Sequence, residues 1–183
     1  METPAFVTYV VDFVRVHQAW AAPIAFALAF LESLAFLSLL VPSTAILIGI
    51  SGLIGAAGVD FWPVWIAGGA GGVIGYSISY WLGVWFKEPI FRLWPFSRHP
   101  ELVVRSHAFF ERWGALSVFF GHFIGPVRAV IPVIAGSCGL NHLKFEIANV
   151  ASAFLWITFV LAPGYFLTAS EIFSSFFPTL GLR

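Results

Sequence analysis

One arginine stands out in this sequence because it lies in a long apolar segment, GHFIGPVRAVIPVIAG, between two prolines. Arg128 keeps its charge inside proteins, and its five N–H donors match the oxygens of a phosphate or a carboxylate. A charge in hydrocarbon costs about 2.5 to 3.5 kcal/mol on insertion scales. Pro126 and Pro132 interrupt a regular helix, so the segment can turn Arg128 towards a cavity. We therefore predict that Arg128 contacts an anion or a lipid phosphate.

Two further residues in apolar surroundings could take part in this chemistry. Glu32 is the one charged residue in the stretch 19–58, and it could pair with Arg128 as a purely structural ion pair or act as a proton carrier. The two interpretations of Arg128 are compatible, since an anionic substrate could replace Glu32 as its partner. His122 is the second candidate for proton coupling because imidazole titrates near neutral pH. Its alternative role is a hydrogen bond between helices.

The composition places the chain among membrane proteins. Of its 183 residues, 60% are hydrophobic and only 10% are charged, whereas soluble domains have about 25% charged residues. We expect a single multi-pass domain over residues 1–183 in the inner or plasma membrane. The net charge of zero gives no sign of nucleic-acid binding. The sequence contains no nucleophile–base pair, Walker loop or zinc motif, so we expect neither an enzyme nor a cofactor.

The first half of the chain divides into three predicted segments. Residues 5–18 have helical amphipathicity typical of a helix in the headgroup region. Residues 19–58 are apolar and are interrupted at Pro42, which favours a hairpin that enters and leaves on one side of the membrane. Its tip would be Pro42, Ser43 and Thr44, and the alternative is two full crossings. Residues 61–86 are long enough for a transmembrane helix.

The second half has a similar order of segments. A polar loop, 87–112, precedes a second broken apolar segment, 113–140, which we predict to be hairpin 2. A polar hinge with Asn141, His142, Lys144 and Glu146 then leads to a second transmembrane helix, 147–169. The predicted fold is thus an all-α polytopic membrane protein with an inverted repeat of re-entrant helical hairpin plus transmembrane helix. Paired interrupted segments point to a transporter's binding site near the bilayer middle.

The basic residues predict an orientation for this topology. The central polar loop and the second hinge hold most of them, which places these regions in the cytoplasm by the positive-inside rule. The residues are Lys87, Arg92, Arg98, Arg105, Arg112 and Lys144. Both termini then lie outside. The N-terminal stretch lacks a basic region, so we predict no cleaved signal peptide.

The second half, GHFIGPVRAVIPVIAGSCGLNHLKFEIANVASAFLW, resembles the DedA family, also called the SNARE-associated or VTT-domain membrane proteins. The matching residues of that pattern are Gly121, Phe123, Arg128, Pro132, Ala135, Gly136, Phe145, Asn149, Ala153 and Trp156. In the first half Glu32, ten residues before Pro42-Ser43, and Gly75, Tyr80 and Gly83 resemble the family too. The likeness extends over residues 25–160. It implies two re-entrant hairpins that meet from opposite faces, each followed by a spanning helix.

The resemblance implies a lipid translocase, or flippase, that moves undecaprenyl phosphate or a phospholipid between leaflets. The implied partners are membrane lipids and protons, and a homo-oligomer is compatible with it. The candidate substrate-binding residues are Arg128, Glu32, His122, Pro42, Ser43, Thr44 and Asn149. For Asn149 an interhelical contact is the alternative, as tip capping is for Ser43 and Thr44.

The sequence departs from the family pattern at four positions. His122 and Val84 replace arginines, and Thr44 and Tyr76 replace acidic residues. These departures put proton coupling and the usual substrate in doubt. The competing hypotheses are a small-solute or ion transporter on the same scaffold and a non-transporting membrane assembly subunit.

Overall fold

The computed structural model describes residues 5–34, 43–92 and 96–176, and these residues form helices and turns without a β-strand. The α-helices of these residues define the architecture, with short 3-10 segments between some of them. They are α1 (Ala5–Val16), α2 (Ala21–Ser33), α3 (Ser43–Ala56), α4 (Phe61–Phe86), α5 (Pro100–Trp113), α6 (Ala115–Gly121), α7 (Gly125–Arg128), α8 (Ile131–Ser137) and α9 (His142–Phe176). The all-α class predicted from the sequence is confirmed.

Helices α2 and α3 run in opposite directions beside each other. Ala21 and Ile24, at the start of α2, line one cavity together with Leu53 and Ile54 near the end of α3. At their other ends, Glu32 of α2 contacts Thr44 of α3. The chain therefore leaves and returns at the same end of this pair. The predicted tip residue Pro42 lies outside the described residues, and Ser43 is the first residue of α3.

Helix α4 covers the same residues as the predicted 61–86 segment and packs closely against α2. A Cβ on Gly71 would collide with the carbonyl oxygen of Phe26, and one on Gly75 would lie 2.7 Å from the carbonyl oxygen of Phe30. Small residues at such positions let two helix backbones approach. At the other end of α4, a Cβ on Gly83 would meet the backbone of Val133 in α8. The glycines thus position α2 and α8 against one central helix.

The second apolar segment is broken into three short helices, α6, α7 and α8, as the prolines predicted. Pro126 and Pro132 lie in the first turn of α7 and α8, where a missing N–H is tolerated. The predicted hinge around Lys144 and Glu146 is wrong, because α9 begins at His142. The Asn141 side chain accepts hydrogen bonds from the backbone N–H groups of Leu143 and Lys144. This capping starts the helix earlier than the apolar pattern indicated.

The two halves pack on each other in a crossed arrangement. Helix α2 lies against α4 of its own half, whereas α3 lies against α9 of the other half. In the second half, α6 lies against its own α9, and α8 lies against α4 of the first half. Among the described residues, one helical segment, His142–Thr168, is long and apolar enough to cross a membrane.

Candidate functional site

Arg128 and Glu32 form a buried ion pair at the centre of this packing. Arg128 Nη1 lies 2.9 Å from Glu32 Oε1, and both side chains are less than a tenth exposed. Arg128 Nη2 also donates to the backbone carbonyl of Glu32 at 3.3 Å, across 96 residues of sequence. Glu32 is in the last turn of α2, and Arg128 ends the one-turn helix α7. The interrupted helices therefore bring together the two charges that the sequence singled out.

Two more elements hold this pair. The Thr44 hydroxyl, from the first turn of α3, donates a hydrogen bond to Glu32 Oε1. From α9, the ring of Trp156 lies 4.7 Å from the Arg128 guanidinium carbon. An indole face attracts a cation through its quadrupole. Four elements, α2, α3, α7 and α9, thus contribute one side chain each to the fixed geometry of the charges.

The surroundings of the pair contain polar atoms that lack a protein partner. Seven buried side-chain polar atoms have no hydrogen-bond partner within the described ranges, and five of them belong to one group of residues. We call this group the central site: Glu32 (Oε2), Ser33 (Oγ), Tyr76 (hydroxyl), His122 (Nε2) and Arg128 (Nε). Buried polar atoms are normally hydrogen-bonded. Their concentration here indicates a place where the polar group of a ligand or water completes the bonding.

Contacts among these side chains show that they surround one location. A Cβ on Gly72 would lie 3.7 Å from Ser33 Oγ and 4.0 Å from His122 Nε2. The ring centroids of Tyr76 and His122 are 4.1 Å apart. The His122 ring is also 5.9 Å from Trp156, whose other neighbour is Arg128.

Hydrogen bonds indicate which ring nitrogen of His122 carries the proton. Its Nδ1 lies 3.1 Å from Ser152 Oγ, and the Ser152 hydroxyl donates its own proton to the carbonyl of Asn149. Ser152 therefore accepts from Nδ1–H, and Nε2 of the neutral ring is an acceptor that faces the central site. The interhelical hydrogen bond predicted as the alternative role of His122 is present. Its role in proton coupling stays a prediction.

Asn149 lies in a different cluster from Arg128. Its side-chain nitrogen contacts Val73 O at 3.1 Å, Ser77 Oγ at 3.2 Å and Glu146 Oε2 at 3.2 Å. Ser77 Oγ in turn donates to Glu146 Oε1 at 2.8 Å. We call Ser77, Glu146 and Asn149 the α4–α9 polar cluster. The structure gives Asn149 the interhelical role that was its alternative.

Sequence reasoning missed Ser33, Tyr76 and Trp156 as parts of the site. Tyr76 carried a signal, because it occupies a position that is acidic in the family pattern. Trp156 also belongs to the pattern, but an aromatic residue on an apolar helix is usually a packing residue. Ser33 had no signal beyond its place next to Glu32. Among the predicted residues, Arg128, Glu32, His122 and Thr44 come together in space.

Sequence comparisons with known proteins identify the family of this chain. The VTT domain family matches residues 41–166. Inner membrane protein YabI of Escherichia coli (strain K12) is 36% identical over 74% of this chain and 54% of its own length. For inner membrane protein YghB of the same strain, the identity is 30% over 78% of this chain and 66% of the relative. The chain spans a little more than half the length of YabI.

No solved structure matches the chain. The names of the relatives support a location in the inner membrane. The family match covers most of the chain and includes Thr44, Tyr76, His122, Arg128 and Trp156. The chain therefore belongs to the VTT-domain family of membrane proteins, also called the DedA family.

Proposed function

We propose that this protein is a multi-pass lipid translocase that binds the phosphate of a lipid headgroup at the central site. The observation that carries the proposal is the buried Arg128–Glu32 pair in a group of five residues, each with a buried polar atom that has no partner among the described residues. A pair that only fastened helices would need no further polar atoms around it. A lipid phosphate would use them as ligands.

The donors of the central site suit a phosphate. Arg128 Nε, the Tyr76 hydroxyl and Ser33 Oγ can each donate a hydrogen bond to a phosphate oxygen. The guanidinium fork matches two oxygens of one phosphate, which a lysine ammonium does not. The pair itself has no net charge while Glu32 is ionised. An anion would therefore bind best when the site gains positive charge, and proton uptake by the site is the coupling that we propose for lipid binding.

The crossed packing supports the proposed path of the lipid. We infer that α2–α3 and α6–α8 are re-entrant hairpins that meet from opposite faces, in an inverted repeat with α4 and α9. Each hairpin contributes one charge to the central site. A headgroup could then pass between the hairpin ends while its acyl or prenyl tail stays in the surrounding lipid.

The test is reconstitution of the purified protein into liposomes that contain undecaprenyl phosphate or phosphatidylethanolamine. Leaflet distribution would be measured with and without a pH gradient. We expect movement of at least one lipid above empty liposomes, and faster movement when the gradient supplies protons. Movement of neither lipid would contradict the proposal.

The variant Arg128→Lys separates this proposal from an assembly subunit. Lysine keeps the charge opposite Glu32 but loses the planar fork. For a translocase we expect folded protein with lipid movement lost. If Arg128→Lys moves lipid at the wild-type rate, bidentate phosphate binding by Arg128 is wrong. An enclosed small-solute transporter would instead move a soluble anion and neither lipid.

A further inference from the structure

A second concave surface lies at the start of α4, away from the central site. A cavity of about 470 Å³ opens between α4 and α9 and is lined by Asp60, Phe61, Trp62, Trp65, Tyr165 and Phe166, among others. Trp65 precedes Tyr76 of the central site by eleven residues on the same helix, which corresponds to about 16 Å along its axis. The cavity is therefore a separate feature of the molecule. We call it the aromatic cavity.

Aromatic rings meet at steep angles around this cavity. The rings of Trp62 and Trp65 are perpendicular, with centroids 5.7 Å apart. Tyr165 and Phe166 meet at 89° with centroids 5.4 Å apart. The Trp65 indole N–H donates to Thr158 Oγ1 at 2.8 Å, which fixes the plane of that ring. In such edge-to-face pairs the positive edge of one ring contacts the negative face of the other, so a cation can approach only a ring face that no neighbour covers. Trp62, which is 61% exposed, offers the accessible aromatic surface for such a contact.

Asp60 is the acidic residue among those that line the cavity, and its charge is opposite to that of a cation. Asp60 caps α4, and its Oδ1 accepts the backbone N–H of Trp62 at 3.2 Å. Among the described residues Asp60 forms no ion pair. Arg15 reaches this side of the molecule, where it donates to the Ala57 carbonyl and pairs with Asp12. The Asp60 carboxylate is therefore not taken up by a basic side chain of the described residues, and it can balance a cation in the aromatic cavity.

We infer that the aromatic cavity binds the ammonium group of a zwitterionic phospholipid. Exposed ring faces would contact the ammonium group, and the Asp60 carboxylate would balance its positive charge. We assign the ammonium group to a phospholipid because Trp62 and Phe166 are about 60% exposed on an apolar helical surface. Such rings are typical of the aromatic belts at membrane interfaces, where phospholipid headgroups lie. An anionic headgroup without an amine is repelled by Asp60. The site goes beyond the proposed translocation, since it needs neither Arg128 nor Glu32.

The experiment compares two lysolipids with the same acyl chain on the full-length protein in detergent. Binding of lysophosphatidylcholine and lysophosphatidylglycerol would be measured by isothermal titration calorimetry, with tetramethylammonium as a soluble competitor. We expect tighter binding of the choline lipid by roughly 2- to 30-fold, the range of a cation–π contribution. Tetramethylammonium should compete with it, but only weakly, because it lacks the acyl chain.

Two variants test the assigned residues. Asp60→Asn keeps the helix cap, since asparagine caps as well as aspartate, but removes the charge. Trp62→Leu removes an exposed aromatic wall. Each should reduce the preference for the choline lipid several-fold. Trp85→Leu is the matched control, because Trp85 is 71% exposed at the opposite end of α4.

The outcomes separate this inference from the proposed function. Arg128→Lys should leave the choline preference unchanged, even where lipid movement is lost. Equal affinity for both lysolipids would overturn the inference, and so would a preference that survives Asp60→Asn and Trp62→Leu. If tetramethylammonium binds as tightly as the choline lipid, the assignment to a phospholipid is wrong.

Discussion

Helices α4 and α9 contribute to two polar clusters that differ in how completely their atoms are bonded. In the α4–α9 polar cluster, the Asn149 amide nitrogen and both Glu146 oxygens have partners within hydrogen-bond distance, and Asn149 Oδ1 is the one buried atom for which the described residues supply none. In the central site, every one of the five residues has a buried polar atom without a partner in the part of the chain that the structure describes. A nearly saturated cluster stabilises packing, whereas an incompletely bonded one is suited to a ligand. We therefore expect the first cluster to contribute mainly to stability and the second to bind the ligand of the proposed function.

The largest effect on stability should come from breaking the central ion pair. Arg128→Leu leaves Glu32 buried without its cation, and we expect a loss of about 3 to 5 kcal/mol in the free energy of unfolding. Thermal unfolding in detergent would measure it. The double variant Glu32→Leu/Arg128→Leu should recover much of that stability while lipid movement stays absent. A double variant as unstable as Arg128→Leu would contradict this account of the pair.

Asn149→Leu should lower stability but not binding. The substitution removes contacts to Val73, Ser77 and Glu146 and leaves buried groups unpaired, at a cost of about 1 to 3 kcal/mol. Lipid movement per folded protein should stay at the wild-type rate in reconstituted liposomes. A rate that falls tenfold in well-folded protein would return Asn149 to the substrate-binding residues.

Tyr76→Phe should have the opposite pattern. Its buried hydroxyl has no protein partner among the described residues, so removing it should not lower the free energy of unfolding, because a buried unpaired polar group is itself unfavourable. If that hydroxyl binds a headgroup, lipid movement should fall several-fold. Ser77→Ala, in the α4–α9 polar cluster, is the control and should reduce stability more than lipid movement. Wild-type movement by Tyr76→Phe would remove Tyr76 from the binding set.

A small loss of stability is expected for Trp156→Phe. A phenylalanine face still attracts the Arg128 guanidinium but less strongly than indole, so stability should fall by no more than about 1 kcal/mol. Trp156→Leu should cost more, because it removes the aromatic face. Equal unfolding midpoints for the two variants would indicate that Trp156 acts through volume alone.

Some parts of the site could be predicted from the sequence because the physical effects involved depend only on neighbouring residues in the chain. A charge inside an apolar segment is unfavourable wherever the segment lies, so Arg128 and Glu32 were recognisable without coordinates. Prolines interrupt helices by local geometry, which predicted the break between α6 and α8. The start of α9 was predicted too late, because the helix was placed from the apolar pattern alone. The Asn141 side chain, which accepts from the backbone N–H groups of Leu143 and Lys144, starts the helix in the polar residues before that pattern.

By itself, the sequence determined the membrane class, the all-helical fold and the two charges that require a partner. Only the tertiary structure decided that these charges pair across 96 residues, that Thr44 and Trp156 complete the pair, and that Asn149 belongs elsewhere. The physical reason is that composition and periodicity fix what a helix face contains. Which two faces meet depends on close packing between distant segments, such as that of Gly71 in α4 against Phe26 in α2.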